Sequence, residues 1–107
     1  MTEAESRAVL SWISAHQGSL PANARDADSL VKAYLRAKGL REDRYGNFLN
    51  PEDAGMRFHL KERVVNLQEK RGGEWRNIRS MNLIPYAVGL AKKAAELAGD
   101  SVVAEKA

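Results

Sequence analysis

Apolar positions in this chain recur with two different periods. Near the amino end, Val9, Trp12, Ile13 and His16 repeat at helical spacing. They follow a capping box of Thr2 and Glu5, and Gly18 is a natural stop. A linker containing Leu20-Pro21 leads to a second helix, expected to begin at Asp26 or Asp28. Its stripe is Leu30, Val31, Tyr34 and Leu35. Gly39 ends it, with Leu40 placed for the hydrophobic contact of a Schellman-type cap. Lys32, Arg36 and Lys38 fall toward the carboxyl end, where the macrodipole favours cations. The last element is helical again. Asn82 is its expected cap, Pro85 is tolerated in the first turn, and Leu83, Tyr86, Ala87, Leu90, Ala94 and Leu97 form one stripe before Gly99.

Between these helices the period shortens. Gly46-Asn47 marks a tight turn with Tyr45 and Phe48 as short strand residues beside it, and Pro51 closes that unit. Residues 56–63 fit two templates. As a strand, Met56, Phe58 and Leu60 point inward while Arg57, His59 and Lys61 point outward. As a helix, Asn50-Pro51-Glu52-Asp53 makes a good start and Met56, Leu60, Val64 and Leu67 share a face. The strand is favoured, because the helix strands Phe58 and Val65 and leaves residues 75–81 without a pairing partner.

That partner is the segment VVNLQEKR, joined to EWRNIRSM through Gly72-Gly73, a pair able to supply the positive φ angles of a two-residue hairpin turn. The implied register sets Arg71 opposite Glu74, Lys70 opposite Trp75, Leu67 opposite Ile78 and Asn66 opposite Arg79. Alternation then gives two unlike faces. One carries Val65, Leu67 and Ile78 with a Glu69–Arg76 pair. The other carries Asn66, Gln68, Lys70, Trp75, Asn77 and Arg79. The fold expected is α+β: two N-terminal helices, a small antiparallel sheet of about three strands with a Gly-Gly hairpin, and a C-terminal helix packed on the Leu67/Ile78 face. Residues 1–99 read as one compact domain and residues 100–107 as a disordered tail.

Composition narrows the chemistry. The 107 residues are enough for an independent core, and the absence of cysteine removes disulfides, thiol nucleophiles and cysteine-ligated metals. The net charge is only +3, but residues 57–79 hold seven Lys/Arg against three acidic residues, so the excess is concentrated in the hairpin region. No apolar run is long enough to span a bilayer, and the acidic, polar start MTEAESR is unlike a secretory signal, so a cytoplasmic location is expected.

Catalytic constellations are scarce. His16 ends an apolar stripe, which fits a packed histidine, and His59 stands in a basic row that disfavours an imidazole base. The two are not at ligand spacing, so no metal is expected, and no cofactor fingerprint is present. An enzyme is not expected. Trp75 can stack a nucleic-acid base, anchor a protein partner, or be ordinary core beneath the last helix. Asn66, Gln68 and Asn77 are able to read base edges, though amides are also common on exposed strands. The first two helices and the Gly46-Asn47 hairpin resemble part of a winged-helix arrangement. The second helix is less basic on its exposed face than such a recognition helix.

The leading expectation is therefore a non-enzymatic nucleic-acid-binding protein, for DNA or RNA. Arg57, His59, Lys61, Lys70, Arg71, Arg76 and Arg79 would contact phosphate and Trp75 would stack. The competing expectation is a regulatory adaptor or inhibitor acting through protein contacts. The alanine- and glycine-rich last helix permits close approach in a homodimer.

Overall fold

The computed structural model describes residues 1–99; the expected tail lies outside the described residues. Helix α1 (Glu3–Ala15) and helix α2 (Ala24–Ala37) precede five strands: β1 (Arg41–Glu42), β2 (Asn47–Asn50), β3 (Asp53–Lys61), β4 (Val64–Arg71) and β5 (Glu74–Asn82). Helix α3 (Leu83–Leu97) follows. The strands form one antiparallel sheet in sequence order, a meander of five strands where about three were expected. The two additional strands are the short β1 and β2. Asp43 builds the turn between them, its Oδ1 accepting from the N–H groups of Tyr45 (2.8 Å) and Asn47 (3.0 Å). Tyr45 is consequently a turn residue, 71% exposed, rather than a strand residue.

Residues 56–61 are strand. The helix-start signal at residues 50–53 is used instead for a turn, in which Asn50 Oδ1 accepts from the Glu52 N–H and Asp53 Oδ1 from the Gly55 N–H. Phe58 and Leu60 pack against the core, as strand alternation requires.

Helix ends follow local chemistry. At α1 the Thr2–Glu5 capping box is present in both directions (3.1 and 3.2 Å). Its Schellman turn places Gln17, at φ 61°, in the left-handed position and Gly18 one residue beyond. Helix α2 starts earlier than expected, because Asn23 caps it by accepting from the Asp26 N–H at 2.8 Å. It ends as expected at Gly39, with the Leu40 N–H donating to the Leu35 carbonyl. Asn82 occupies the N-cap of α3, but its side chain makes no capping bond. The Leu83 N–H donates instead to the Arg63 carbonyl in the β3–β4 turn, at 2.8 Å.

The core lies among the three helices. Val9, Trp12 and Ile13 of α1, Leu30, Val31 and Leu35 of α2, and Leu83, Ala87 and Leu90 of α3 are buried together, joined from the sheet by Phe48 and Val65. Helix α3 therefore packs chiefly on α1 and α2 and meets the sheet only at its base, not along the Leu67/Ile78 face. The ladder also departs from the expected register. Pairing runs Lys70–Trp75, Glu69–Arg76 and Gln68–Asn77 as expected, and then a bulge at Ile78 moves Leu67 opposite Arg79, Asn66 opposite Ser80 and Val65 opposite Met81. The extra residue turns Met81 inward to the core, where an unshifted ladder would have put Ser80. Ile78 is left 49% exposed, and Leu97, expected in the α3 stripe, is 57% exposed.

The molecule measures 47 × 25 × 22 Å, with the sheet extending away from the helical cluster. Among the described residues no helix is long and apolar enough to cross a membrane.

Candidate functional site

Alternation from the buried Val65 assigns the sheet's two faces. Phe48, Phe58, Leu60, Val65, Leu67 and Met81 point toward the helices. Among the described residues the opposite face contributes nothing to the hydrophobic core, and no helix packs against it. Register brings three cross-strand rows together there. The first is Asn47, His59, Asn66 and Ser80. The second runs across all five strands as Arg41, Leu49, Arg57, Gln68 and Asn77. The third pairs Lys70 with Trp75, and Lys61 closes the opposite end beside Val64.

Hydrogen bonds hold these rows in fixed orientation. Arg57 Nε donates to Gln68 Oε1 at 2.6 Å, and Gln68 Nε2 donates to Asn77 Oδ1 at 2.8 Å. Ser80 Oγ donates to Asn66 Oδ1 at 2.6 Å. Asn47 Nδ2 donates to Asp43 Oδ2 (3.0 Å), so Asn47 Oδ1 is an acceptor and its 2.7 Å partner, His59 Nδ1, carries the proton. Burial pushes the Asp43 carboxyl up, but the side-chain and main-chain N–H groups of Asn47, the Tyr45 N–H and the charge of Arg57 outweigh it. They hold the carboxyl below its ordinary range.

Trp75 is half-buried on this face. Arg57 Cζ lies 4.2 Å from its ring centroid and Lys70 Nζ 5.9 Å, so two cations sit within reach of one indole. Among the described residues no carboxylate lies within ion-pair distance of Arg41, Arg57, Lys61 or Lys70. The face is thus cationic and donor-rich, and among the described residues its cations form no ion pair, with only Asp43 acting on Arg57 at longer range.

The eight residues singled out from the sequence do not form one surface. Arg57, His59, Lys61, Lys70 and Trp75 share the uncovered face. Arg71, Arg76 and Arg79 lie on the helix-side face, opposite Glu74, Glu69 and Leu67. The bulge turns Arg79 away from the Trp75 face, where the unshifted register had placed it, and its charge acts on Tyr86 of α3. Arg71 is tied to Glu69 at 2.9 Å. Arg41 joins the uncovered face and was missed, because a two-residue strand leaves no periodic signal. The second helix carries no comparable surface. Burial works against both charges, yet pairing with Asp28 and Glu42 holds the Lys32 amine above its ordinary range, and pairing with Arg36 and Lys32 holds the Glu42 carboxyl below its own. That face of α2 is neutralised, unlike a recognition helix.

On the helix side, Lys38, Leu40, Phe48, Met56, Phe58 and Leu67 line a small, mainly apolar cavity of about 150 Å³. His16 stacks on Trp12 at 3.7 Å and contacts the Trp12 carbonyl at 2.7 Å, the packed histidine its place in the stripe indicated. Among the described residues no three His, Asp or Glu side chains converge as a metal site requires. No protein-family model, curated protein or solved structure matches this chain.

Proposed function

We propose that this protein binds nucleic acid, without catalysis, through the uncovered sheet face. Arg41, Arg57, Lys61 and Lys70 contact phosphate, with His59 beside them, and Trp75 offers its ring system to a base. The observation that carries this reading is the coincidence of three properties on one face: among the described residues no helix covers it and its cations form no ion pair, and its aromatic ring lies within cation–π distance of two of them. Ordinary solvated strands carry interspersed charges of both signs, whereas a polyanion site keeps its cations unpaired.

The test compares the two faces. A labelled mixed-sequence oligonucleotide, single-stranded and as a duplex, is titrated at low and physiological salt against wild type and two triple variants. Arg57→Glu/Lys61→Glu/Lys70→Glu reverses the uncovered face and should lower affinity at least a hundredfold. Arg71→Glu/Arg76→Glu/Arg79→Glu reverses the other face and should lower it far less. Absence of binding at low salt by folded wild-type protein would remove the reading, and equal losses in both variants would remove the assignment of the face.

A second proposal, a regulatory adaptor working by protein contact, is favoured by the apolar groups left outside the core. Ile78 is half-exposed on its bulge, and the Leu40–Met56–Leu67 cavity opens on the same side of the sheet as the helices. It predicts an association that persists at high salt, measurable by light scattering, where the nucleic-acid reading predicts salt sensitivity.

A further inference from the structure

The uncovered face also discriminates between forms of nucleic acid. We infer that its ligand is a single-stranded polynucleotide, laid along β3 and β4 from Lys61 toward the Lys70–Trp75 end. This rests on the nucleic-acid reading and narrows it.

Width is the first argument. A two-stranded ribbon fits a major groove about 12 Å wide. Here β3 runs alongside β4 from Lys61 to Met56, so only the last residues of the β4–β5 hairpin project as a free ribbon. Three strands already span about 10 Å between outer axes before side chains are added, and five span about 19 Å. The Arg57, Gln68 and Asn77 row lies inside that slab. It cannot reach base edges at the floor of a duplex groove, but unpaired bases can come to it.

The second argument is chemical. Arg57 donates through Nε to Gln68, which leaves its terminal nitrogens without a partner in that bond, and the guanidinium over Trp75 puts two planar groups side by side. A base uses such a platform only when it has left its own stack. With Asn66 Oδ1 and Asn77 Oδ1 occupied by neighbours, each has its amide N–H₂ remaining. The free groups are thus mostly donors, matching base carbonyls and phosphate oxygens.

The third argument is the placement of charge. Lys61, Arg57 and Lys70 succeed one another along β3 and β4, with Arg41 beside Arg57 in the same cross-strand row. That is one backbone track, not two rims a groove apart.

The experiment uses the whole chain and, as probes, oligo(dT), oligo(U), a mixed single strand and its duplex, with Trp12→Phe as the background so that Trp75 is the reporting fluorophore. Single strands should bind at least tenfold tighter than the duplex and quench Trp75 emission. Affinity should fall about 50-fold between 50 and 200 mM salt, the slope of about four phosphate contacts on a single strand. Trp75→Ala should weaken single-strand binding about fivefold to 150-fold, the span of one base–aromatic stack. Oligo(dT) and oligo(U) compared at equal length rank DNA-type against RNA-type single strands, which differ in both sugar and base methyl group. Duplex preference would overturn this inference while leaving nucleic-acid binding standing. Unaltered single-strand binding by folded Trp75→Ala would overturn the stacking platform. Binding of neither form at low salt would remove both readings together.

Discussion

Trp12 and Trp75 occupy opposite conditions within one short chain. Trp12 sits among the helices, 7% exposed, with its indole N–H donating to Ser29 Oγ at 3.0 Å and its ring stacked on His16. Trp75 sits on a sheet face outside the core, held by Arg57 and Lys70. The contrast extends to the regions around them. The helices supply nearly all the buried apolar side chains, whereas the sheet is anchored by Phe48 and Val65 and extends polar rows outward. A fold needs only the first arrangement. The second fixes cations in place without an ion pair among the described residues, which folding alone does not require.

The largest expected effect tests that division directly. Trp12→Ala should cost about 3–5 kcal/mol, the usual range for deleting a packed tryptophan. Trp75→Ala should cost about 1 kcal/mol, the scale of an exposed cation–π contact. Urea denaturation of both variants gives the two numbers. Equal costs would mean that Trp75 belongs to the stabilising core and would break the comparison.

Tyr86 joins the two regions and should show a smaller effect, visible only at high pH. Burial, with the neighbouring Tyr34, pushes its hydroxyl up to about 12; Arg79 of β5 acts against this and Glu5 adds to it. An unfolded tyrosine ionises near 10. Between about pH 10 and about pH 12 the unfolded chain has therefore lost a proton that the folded chain retains, so stability falls as pH rises through that window. Tyr86→Phe should flatten this part of the stability–pH curve, and parallel curves for the two proteins would remove the assignment.

How far the sequence reveals this architecture depends on the range of the interaction. The Thr2–Glu5 box, the Leu30–Leu35 stripe, the Gly39–Leu40 cap and the Gly72-Gly73 turn are encoded within a few residues, and each was legible. Both turn glycines indeed have positive φ, 58° and 84°. The bulge at Ile78 was not legible, because it is decided by which residue, Ser80 or Met81, fills a space beside Val65 in the core. That single shift separates Arg79 from the face on which it was expected. Strand β1 was invisible for another reason: its two residues are ordered by a side-chain turn at Asp43, not by an apolar period. The candidate site was thus half legible. The alternation in β3 and the hairpin tip located Arg57, His59, Lys61, Lys70 and Trp75, while Arg41 required the assembled sheet.

Two strained positions sharpen the comparison at the scale of about 1 kcal/mol. Gln17 terminates α1 at φ 61° and Glu62 turns the β3–β4 hairpin at φ 57°, both in the left-handed region that disfavours a β-carbon. Gln17→Gly and Glu62→Gly should each raise stability by about 0.5–1 kcal/mol. Thermal melts check both. Glu62→Gly also removes an acidic residue next to Lys61, so it should strengthen oligonucleotide binding slightly, while Gln17→Gly, far along the chain in the helical region, should leave binding unchanged.

The smallest stability effect belongs to Lys61, and it separates function from folding most cleanly. Its side chain ends β3 on the uncovered face, exposed and without an acidic partner among the described residues. Lys61→Ala should change unfolding free energy by no more than about 0.5 kcal/mol, as for surface positions generally. If Lys61 contacts phosphate, the same variant should lower the slope of log affinity against log salt by about 0.7, one single-strand contact, nearly independently of base sequence. A helix-side control, Arg76→Ala, should leave that slope where it was. Equal slopes for wild type and both variants would place the phosphate track elsewhere on the sheet, whereas a loss confined to Lys61→Ala would fix one end of it at the β3–β4 turn.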